Sequence, residues 1–179
     1  MTALQDLYQK EIKTTLKKEF GITNDFALPR IMKIVVNVGA GEAVANKKVI
    51  ALVQEQLERI TGQKTVITKA RKSISAYKIR IGLPIGVKVT LRGKKMQYFF
   101  EKLVKIVLPR LRDFRGIAQT AVDGHGNLNL GFTEQTIFPE IEYDKIDKLR
   151  GLEVTVVTST KNREHGKRLF ELYGIPFHN

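Results

Sequence analysis

The chain has 179 residues, 42% of them hydrophobic, and no cysteine, which fits one domain with its own core and excludes a disulfide framework, a thiol nucleophile and a cysteine-ligated metal site. Its 31 lysines and arginines stand against 18 acidic residues, and the resulting net charge of +13 attracts polyanions, most often nucleic acid. No apolar run resembles a signal sequence or approaches the roughly 20 residues of a membrane helix, so we expect a soluble, cytoplasmic protein.

The first 62 residues predict a helix, a strand and a second helix. Residues 2–20 have the apolar spacing of an amphipathic helix, with Thr2 as the expected N-cap and Gly21 as the stop. Residues 31–39 predict a strand. Alternation places apolar side chains on one face of that strand, namely Met32, Ile34, Val36 and Val38. The opposite face is mixed and carries Ile31, Lys33, Val35 and Asn37.

The second helix is predicted after a glycine-containing loop, 39–46. Gly39 and Gly41 lack the third glycine of a dinucleotide-binding motif, because Val44 stands in its place, so we interpret the loop as a turn. Asn46 is the expected cap and Gly62 the expected end of the helix. The residues expected on its inner side are Val49, Leu52, Val53, Gln56, Leu57 and Ile60.

The middle of the chain is a basic tract without acidic residues between Arg59 and Phe100. Eleven cations lie in it: Arg59, Lys64, Lys69, Arg71, Lys72, Lys78, Arg80, Lys88, Arg92, Lys94 and Lys95. Protein surfaces normally mix charges of both signs, which avoids repulsion between like charges. A bound polyanion is the simplest compensation for the repulsion among these cations. Residues 63–69 predict a short strand with Gln63 and Thr65 on one face, and residues 69–86 predict a basic exposed loop or loose hairpin. That loop is either an RNA-contacting arm or an ordinary hairpin.

A strand and a helix are predicted to complete this tract. In 87–93, Val87, Val89 and Leu91 should face the core, whereas Lys88, Thr90 and Arg92 should face outwards. Residues 94–108 predict an apolar helix that is stopped by Pro109. Its expected core residues are Phe99, Leu103, Ile106 and Val107.

The last third predicts a glycine-rich hairpin at 123–132, an acidic segment at 134–147, a strand at 152–158 and a helix at 162–174. Ile137 and Phe138 should anchor the acidic segment in the core. Glu140, Glu142 and Asp144 would share one face of a strand and could bind a divalent cation. The commoner explanation is a solvated face or ion pairs with Arg150 and Lys145.

These elements predict a single α+β domain over residues 1–179. An antiparallel or mixed sheet would carry helices on one face and leave the other open for RNA, with a long basic loop beside it. The histidines His125, His165 and His178 have no metal-ligand spacing, and no phosphate-binding or nucleophile motif is present. We therefore expect no catalysis, cofactor or metal.

Several ordered motifs also resemble one known family. They are VNVGAGEA (36–43), TGQKTVITKARK (61–72), SISAYKIRIGLPIGVKVTLRG (73–93), PRLRDFRG (109–116), DGHGN (123–127) and EQTIFPEIEYDK (134–145). In this order they resemble the bacterial family of large-subunit ribosomal protein five. One departure is Val122, where the family pattern has an aromatic residue.

The resemblance implies a structural protein that binds 5S rRNA in the central protuberance, beside 23S rRNA and neighbouring large-subunit proteins. Carried over to this sequence, the rRNA-binding residues on the open sheet face are Lys33, Asn37, Gln63, Thr90 and Arg92. The family's loop approaches the P-site tRNA. Its counterparts here, within 69–86, are Arg71, Lys72, Ser73, Ser75, Tyr77, Lys78 and Arg80. A small-subunit head protein is the expected partner in an intersubunit bridge.

Two other functions stay open on composition. An RNA-modifying or nucleotide-dependent enzyme would need a pocket with converging polar groups, and its ligand would raise the melting temperature. A nonspecific DNA-compacting protein would bind duplex DNA and 5S rRNA equally at matched salt.

Overall fold

The computed structural model describes residues 3–111, 114–142 and 146–178. The expected cap Thr2 lies outside these ranges, as do Asp144 and its expected ion-pair partner Lys145. The strands are β1 Ile31–Gly39, β2 Val66–Lys69, β3 Pro84–Leu91, β4 Ile117–Ala118, β5 Leu128–Phe132, β6 Leu152–Thr158 and β7 Phe177–His178. Helical segment 3–20 consists of Ala3–Leu7, a π-helical turn Tyr8–Ile12 and Lys13–Phe20. Segment 93–110 likewise consists of Gly93–Lys102, a π-helical turn Leu103–Val107 and Leu108–Arg110. The other two helices are Lys48–Thr61 and Arg163–Leu172.

Five strands form one antiparallel sheet in the order β2-β3-β1-β6-β5. The short strands β4 and β7 pair in parallel as a separate ribbon. Helices cover the apolar face of the large sheet, so the predicted α+β class is confirmed. Among the described residues, no helix is long and apolar enough to cross a membrane.

The chain divides into two compact units that are interleaved in sequence. The first comprises Met1–Ile34, Arg92–Leu130 and Thr155–Asn179, and the second comprises Val35–Leu91 and Gly131–Val154. Strands β1, β5 and β6 contribute residues to both. The single domain expected from the sequence remains a prediction.

The core of the first unit joins three helices. The residues buried there are Ile12 and Leu16 of segment 3–20, Leu103 and Val107 of segment 93–110, and Leu169 of helix Arg163–Leu172. The helices are also joined at the surface, since Arg168 donates two hydrogen bonds of 2.8 and 2.6 Å to the carboxylate of Glu19. This ion pair connects helix Arg163–Leu172 to helical segment 3–20.

The core of the second unit forms between helix Lys48–Thr61 and β3. Val53 and Leu57 on the helix are buried, as are the alternate strand residues Val87, Val89 and Leu91. The predicted alternation in β3 is therefore confirmed. Gly62, with φ of +63°, ends the helix as predicted, because glycine adopts the left-handed conformation without steric cost.

Three predicted core residues are exposed instead. Met32, Leu52 and Ile106 each keep more than 40% of their surface accessible. Met32 precedes the covered stretch of β1, in which Ile34, Val36 and Val38 are buried as predicted. Leu52 lines an open groove of about 180 Å³. Ile106 lies within a π-helical turn, which rotates it away from the position that regular helical spacing predicts.

The second difference concerns proline. Pro109 was predicted to stop its helix, but the last turn, Leu108–Arg110, continues past it. A proline is tolerated in a first turn, where its missing N–H has no helical acceptor. The π-helical turn ends at Val107, and Pro109 therefore lies in the first turn of the α-helical segment Leu108–Arg110 that follows.

The acidic segment does not form a strand at Glu140, which lies in a turn, or at Glu142, which lies in neither a helix nor a strand. Phe138 is fully buried as predicted, whereas Ile137 is half-buried. Arg150 pairs with Asp147 through two hydrogen bonds of 2.8 and 2.7 Å. Within the described ranges, no group of three or more histidine and carboxylate side chains is placed to hold a metal ion.

Candidate nucleic-acid interface

The open face of β1 carries the first two candidate residues. Lys33 and Asn37 are half-buried and alternate with the fully covered positions Ile34 and Val36. Alternation in a strand sends neighbouring side chains to opposite faces, so both candidates point away from the helices. Lys33 belongs to the first unit and Asn37 to the second.

Strand β3 continues the polar pattern. Thr90 is half-buried on the face opposite Val89 and Leu91, and Lys88 is exposed two residues before it. Arg92 follows the strand with extended backbone angles, φ of −140° and ψ of 165°, and is exposed. Lys88 was predicted to face outwards but was not included among the site residues, although the same alternation identifies it.

Gln63 reaches the same strand from outside the sheet. Its side-chain amide Nε2 donates a hydrogen bond of 2.9 Å to the backbone carbonyl of Thr90. Gln63 precedes β2 rather than lying within it, since the observed strand begins at Val66. The amide carries a second N–H and a carbonyl oxygen, so this bond leaves capacity for a further partner.

The segment around Gln63 is held by polar contacts to the preceding helix. Thr65 donates from its N–H and its hydroxyl to Glu58 Oε1, at 3.1 and 3.3 Å. Gln54 Nε2 donates to the Thr65 hydroxyl at 3.3 Å. Thr61 is buried and its hydroxyl donates to the Leu57 carbonyl at 2.7 Å. These bonds restrict the backbone that presents Gln63.

The structure brings part of the predicted site together. Asn37, Gln63 and Thr90 belong to the second unit, in which β1 and β3 are adjacent strands. Lys33 and Arg92 belong to the first unit. All five keep solvent access, which an RNA-binding role requires.

The basic loop 69–86 forms an ordered hairpin. Ala70 donates to the Leu83 carbonyl at 2.8 Å and Gly82 donates to the Ala70 carbonyl at 2.9 Å, which closes its base. Ile74 and Ile79 exchange hydrogen bonds of 2.9 and 3.1 Å nearer the tip. The predicted loop residues are all exposed: Arg71, Lys72, Ser73, Ser75, Tyr77, Lys78 and Arg80.

The hairpin also exposes apolar surface. Tyr77, at the tip, is 71% exposed, and Ile81, beside the base, is 69% exposed. Ser73 and Ile81 are joined across the hairpin, because the Ser73 hydroxyl accepts a hydrogen bond of 3.0 Å from the Ile81 N–H. The sequence prediction did not single out Ile81, and only its place on the hairpin makes it prominent. Cations beside exposed aromatic and aliphatic groups suit phosphate contact with base or ribose packing.

Arg150 forms ion pairs with nearby carboxylates. Its two hydrogen bonds hold the pKa of the Asp147 carboxyl below its ordinary value, and the same contact raises the pKa of Arg150. Glu42 Oε1 lies 3.7 Å from Arg150 Nε and 3.2 Å from Lys148 Nζ. Arg150 thus neutralises carboxylates within the second unit and takes no part in the basic surface.

Comparison with known proteins agrees with the resemblance drawn from the motifs. The family model described as "Ribosomal protein L5" matches residues 24–80, and the model for the C-terminus of the same ribosomal family matches residues 84–177. Large ribosomal subunit protein uL5 of Geotalea uraniireducens is 51% identical over 179 residues, covering 100% of both chains. The same protein of Desulfotalea psychrophila is 51% identical over 177 residues, and that of Anaeromyxobacter sp. is 53% identical over 174. These alignments cover 99% and 97% of each chain, respectively. The chain belongs to the ribosomal protein L5 family.

Proposed function

We propose that the chain binds 5S rRNA through the open face of its sheet and helps attach that RNA to the central protuberance of the large subunit. As a member of a family of structural ribosomal proteins, the chain is a ribosomal protein and not an enzyme. The observation that carries the proposal is the pair of polar, accessible side chains Asn37 and Thr90 on adjacent strands of the second unit, on the face away from the helices. Lys33, in the first unit, adds a cation on the same face of β1.

The chemistry of the proposed site is that of phosphate and ribose contact. Lys33 and Arg92 would neutralise phosphates, and Arg92 can contact one phosphate through two N–H groups. Asn37, Gln63 and Thr90 would hydrogen-bond to phosphate, 2′-hydroxyl or base-edge atoms. The bond from Gln63 to the β3 backbone supports this role, because a restrained side chain loses less entropy on binding.

The salt dependence of binding tests the sheet surface. Each phosphate contact contributes a slope of about −0.7 to −0.9 to the logarithm of affinity against the logarithm of salt concentration. Arg92→Ala should therefore make the slope for 5S rRNA shallower by about 0.7 to 0.9. Lys18→Ala, an exposed lysine on helical segment 3–20, is the control and should leave the slope unchanged. An unchanged slope for Arg92→Ala would remove this residue from the site.

Competition between nucleic acids tests the specificity of the proposal. At fixed salt, 5S rRNA should be retained on filters by the protein more strongly than unrelated RNA or duplex DNA. Equal retention of all three would favour nonspecific, charge-driven binding instead.

We further propose that hairpin 69–86 contacts the P-site tRNA, and that the chain bridges to a small-subunit head protein. The exposed Arg71, Lys78 and Arg80 supply charge for a tRNA backbone, and Tyr77 supplies a flat surface for ribose or base packing. Crosslinking of Tyr77, replaced by a photoreactive residue, to P-site tRNA in assembled ribosomes tests the first contact. Absence of any tRNA product would contradict it.

A further inference from the structure

A narrow cleft, the aromatic cleft, opens between helical segments 3–20 and 93–110. Its volume is about 170 Å³. The described residues that line it all belong to the first unit. Pockets for drug-sized ligands begin at roughly 300 Å³, so the volume of this cleft suits a single small ring system.

Three aromatic rings form the walls of the aromatic cleft. Tyr8 and Tyr173 are nearly parallel, with ring centres 6.3 Å apart and an interplanar angle of 13°. Phe100 meets Tyr173 edge-on, with ring centres 5.1 Å apart. The Tyr8 hydroxyl donates a hydrogen bond of 3.0 Å to the Pro29 carbonyl, which restrains the Tyr8 ring. The cleft therefore presents a restrained aromatic surface against which a flat ring can pack.

Amide side chains supply polar groups in the same cleft. Gln5, Gln9 and Gln97 contribute one amide each, and an amide combines N–H donors with a carbonyl acceptor. An apolar side chain from a protein partner would remove these amides from water without offering hydrogen bonds in return, which costs free energy. The edge of a nucleobase carries donors and acceptors of its own, so a base is the better match.

The charge at the aromatic cleft suits a phosphate. Arg30 is exposed and lines the cleft, and none of the described lining residues is acidic. The Arg30 N–H donates to the Ser159 hydroxyl at 3.1 Å and its carbonyl accepts from the Ser159 N–H at 2.9 Å, so the Arg30 backbone is restrained. Asp25, a carboxylate whose charge acts on Tyr8, is already paired with two lysines of segment 3–20. Arg30 can therefore donate to the phosphate of a nucleotide whose base enters the cleft.

The aromatic cleft adjoins two cations of the proposed 5S rRNA site. Ile31 begins β1 and lines the cleft, and Lys33 is the next residue on the same face of that strand. Met96 lines the cleft from segment 93–110, one helical turn after Arg92, whose carbonyl accepts the Met96 N–H. RNA held by Lys33 and Arg92 would therefore lie within reach of the cleft.

We infer that the aromatic cleft binds one unpaired nucleobase of the 5S rRNA, turned out of the RNA stack, with Arg30 on its phosphate. The inference rests on the proposed function and adds to it a contact that only an unpaired base can make. A base inside a duplex is stacked and paired, and unstacking costs least for a base that is already single-stranded. The cleft would therefore help the protein to select folded RNA with an unpaired nucleotide over a continuous duplex.

The main experiment closes the cleft without changing the net charge. Gln9→Trp would place an indole ring in the cleft, whereas Thr14→Trp adds the same ring at an exposed position of segment 3–20 outside it. On filters, Gln9→Trp should weaken 5S rRNA binding about 5- to 150-fold, the range for loss of one stacked base. The loss should be equal at every salt concentration, because stacking releases no counterions. Thr14→Trp should bind 5S rRNA as the parent does.

Two further measurements test the phosphate and the base. Arg30→Gln should make the salt slope for 5S rRNA shallower by about 0.7 to 0.9, and an unchanged slope would contradict the phosphate contact. Dimethyl sulfate and a carbodiimide modify the Watson–Crick edges of unpaired bases. One such base should be protected by the parent and by Thr14→Trp, and should react in the complex with Gln9→Trp. Thermal unfolding verifies that each variant is folded.

Three outcomes would overturn the inference. Parent-like affinity and base protection in Gln9→Trp would exclude RNA from the cleft. An equal loss of affinity in Thr14→Trp would assign the effect to the added ring and not to the cleft. Reduced incorporation into large subunits with unchanged 5S rRNA affinity would assign the cleft to a protein side chain. Failure of the proposed function gives a different result, because the parent protein itself would then bind 5S rRNA no better than unrelated RNA.

Discussion

The side-chain amide of Gln63 donates a 2.9 Å hydrogen bond to the backbone carbonyl of Thr90. A residue that follows the end of a helix is thereby attached to the C-terminal end of β3, 27 positions later in the chain. The bond uses the backbone of Thr90 and not its hydroxyl, so the two side chains can be tested independently.

Gln63→Ala should lower both stability and 5S rRNA affinity. Loss of one neutral hydrogen bond should reduce the free energy of unfolding by about 1 kcal/mol. Thr90→Val should weaken 5S rRNA binding but leave the Gln63 bond in place. Asn162→Ala is the matched control, because it also removes one amide hydrogen bond, the one accepted from the Glu164 N–H at 2.8 Å, in the first unit rather than at the sheet face. Urea unfolding and filter binding measure the two quantities, and full 5S rRNA affinity in Gln63→Ala would contradict the proposed site.

Deletion of residues 73–80 should separate the hairpin from the sheet surface. The hydrogen bonds between Ala70 and Leu83 and between Gly82 and Ala70 lie below the deletion, so β2 and β3 should keep their pairing. We expect nearly unchanged affinity for 5S rRNA and impaired binding of tRNA in the P site of ribosomes that contain the variant. Loss of 5S rRNA binding, with normal thermal unfolding, would show that the two roles are not divided in this way.

Gly166→Ala should destabilise the first unit. An added Cβ would collide with the Gly126 carbonyl oxygen and lie 2.5 Å from the Gly126 Cα, and backbone atoms cannot move aside easily. Overpacking of this kind costs about 1 to 3 kcal/mol, which outweighs the gain in helix propensity of at most about 1 kcal/mol. Gly124→Ala, which meets nothing within 4 Å, is the control. Equal melting temperatures for the two variants would refute the close approach.

The turn at Asp123 should make stability depend on pH. Its Oδ1 accepts hydrogen bonds of 2.8 and 2.9 Å from the His125 and Asn127 N–H groups, and its Oδ2 accepts one of 2.9 Å from Asn127 Nδ2. Burial acts to raise the pKa of this carboxyl, but the bonds from Asn127 and His125 outweigh it, so the pKa is lowered. The stabilisation is therefore present above the unfolded-state pKa of about 3.9 and is lost as the pH falls through the lower folded-state value.

Asp123→Ala should accordingly be less stable than the parent at pH 7, with the difference shrinking below about pH 4. Urea unfolding at pH 7, 5 and 3 measures this difference. Asp123→Asn, which keeps one acceptor oxygen, should fall between the two at pH 7. A difference that stays constant down to pH 3 would show that the ionised carboxylate is not what stabilises the turn.

The sequence by itself determined the elements that depend only on local patterns of residues. Alternation in β1 and β3 identified buried and open faces from period alone, and glycine at 21 and 62 marked helix ends, because both are local properties of the backbone. The ordered motifs also identified the family, because their order along the chain can be recognised without knowing which segments contact each other.

Only the tertiary structure decided which residues meet and how far the core extends. Met32 and Leu52 fit the apolar pattern yet lie beyond the packed surface, and the π-helical turn at Leu103–Val107 shifted Ile106 outwards. The bond from Gln63 to Thr90 joins positions 27 apart, and the tight contact of Gly166 with Gly126 joins positions 40 apart. No local pattern encodes these contacts, because they depend on how distant segments pack once the chain has folded.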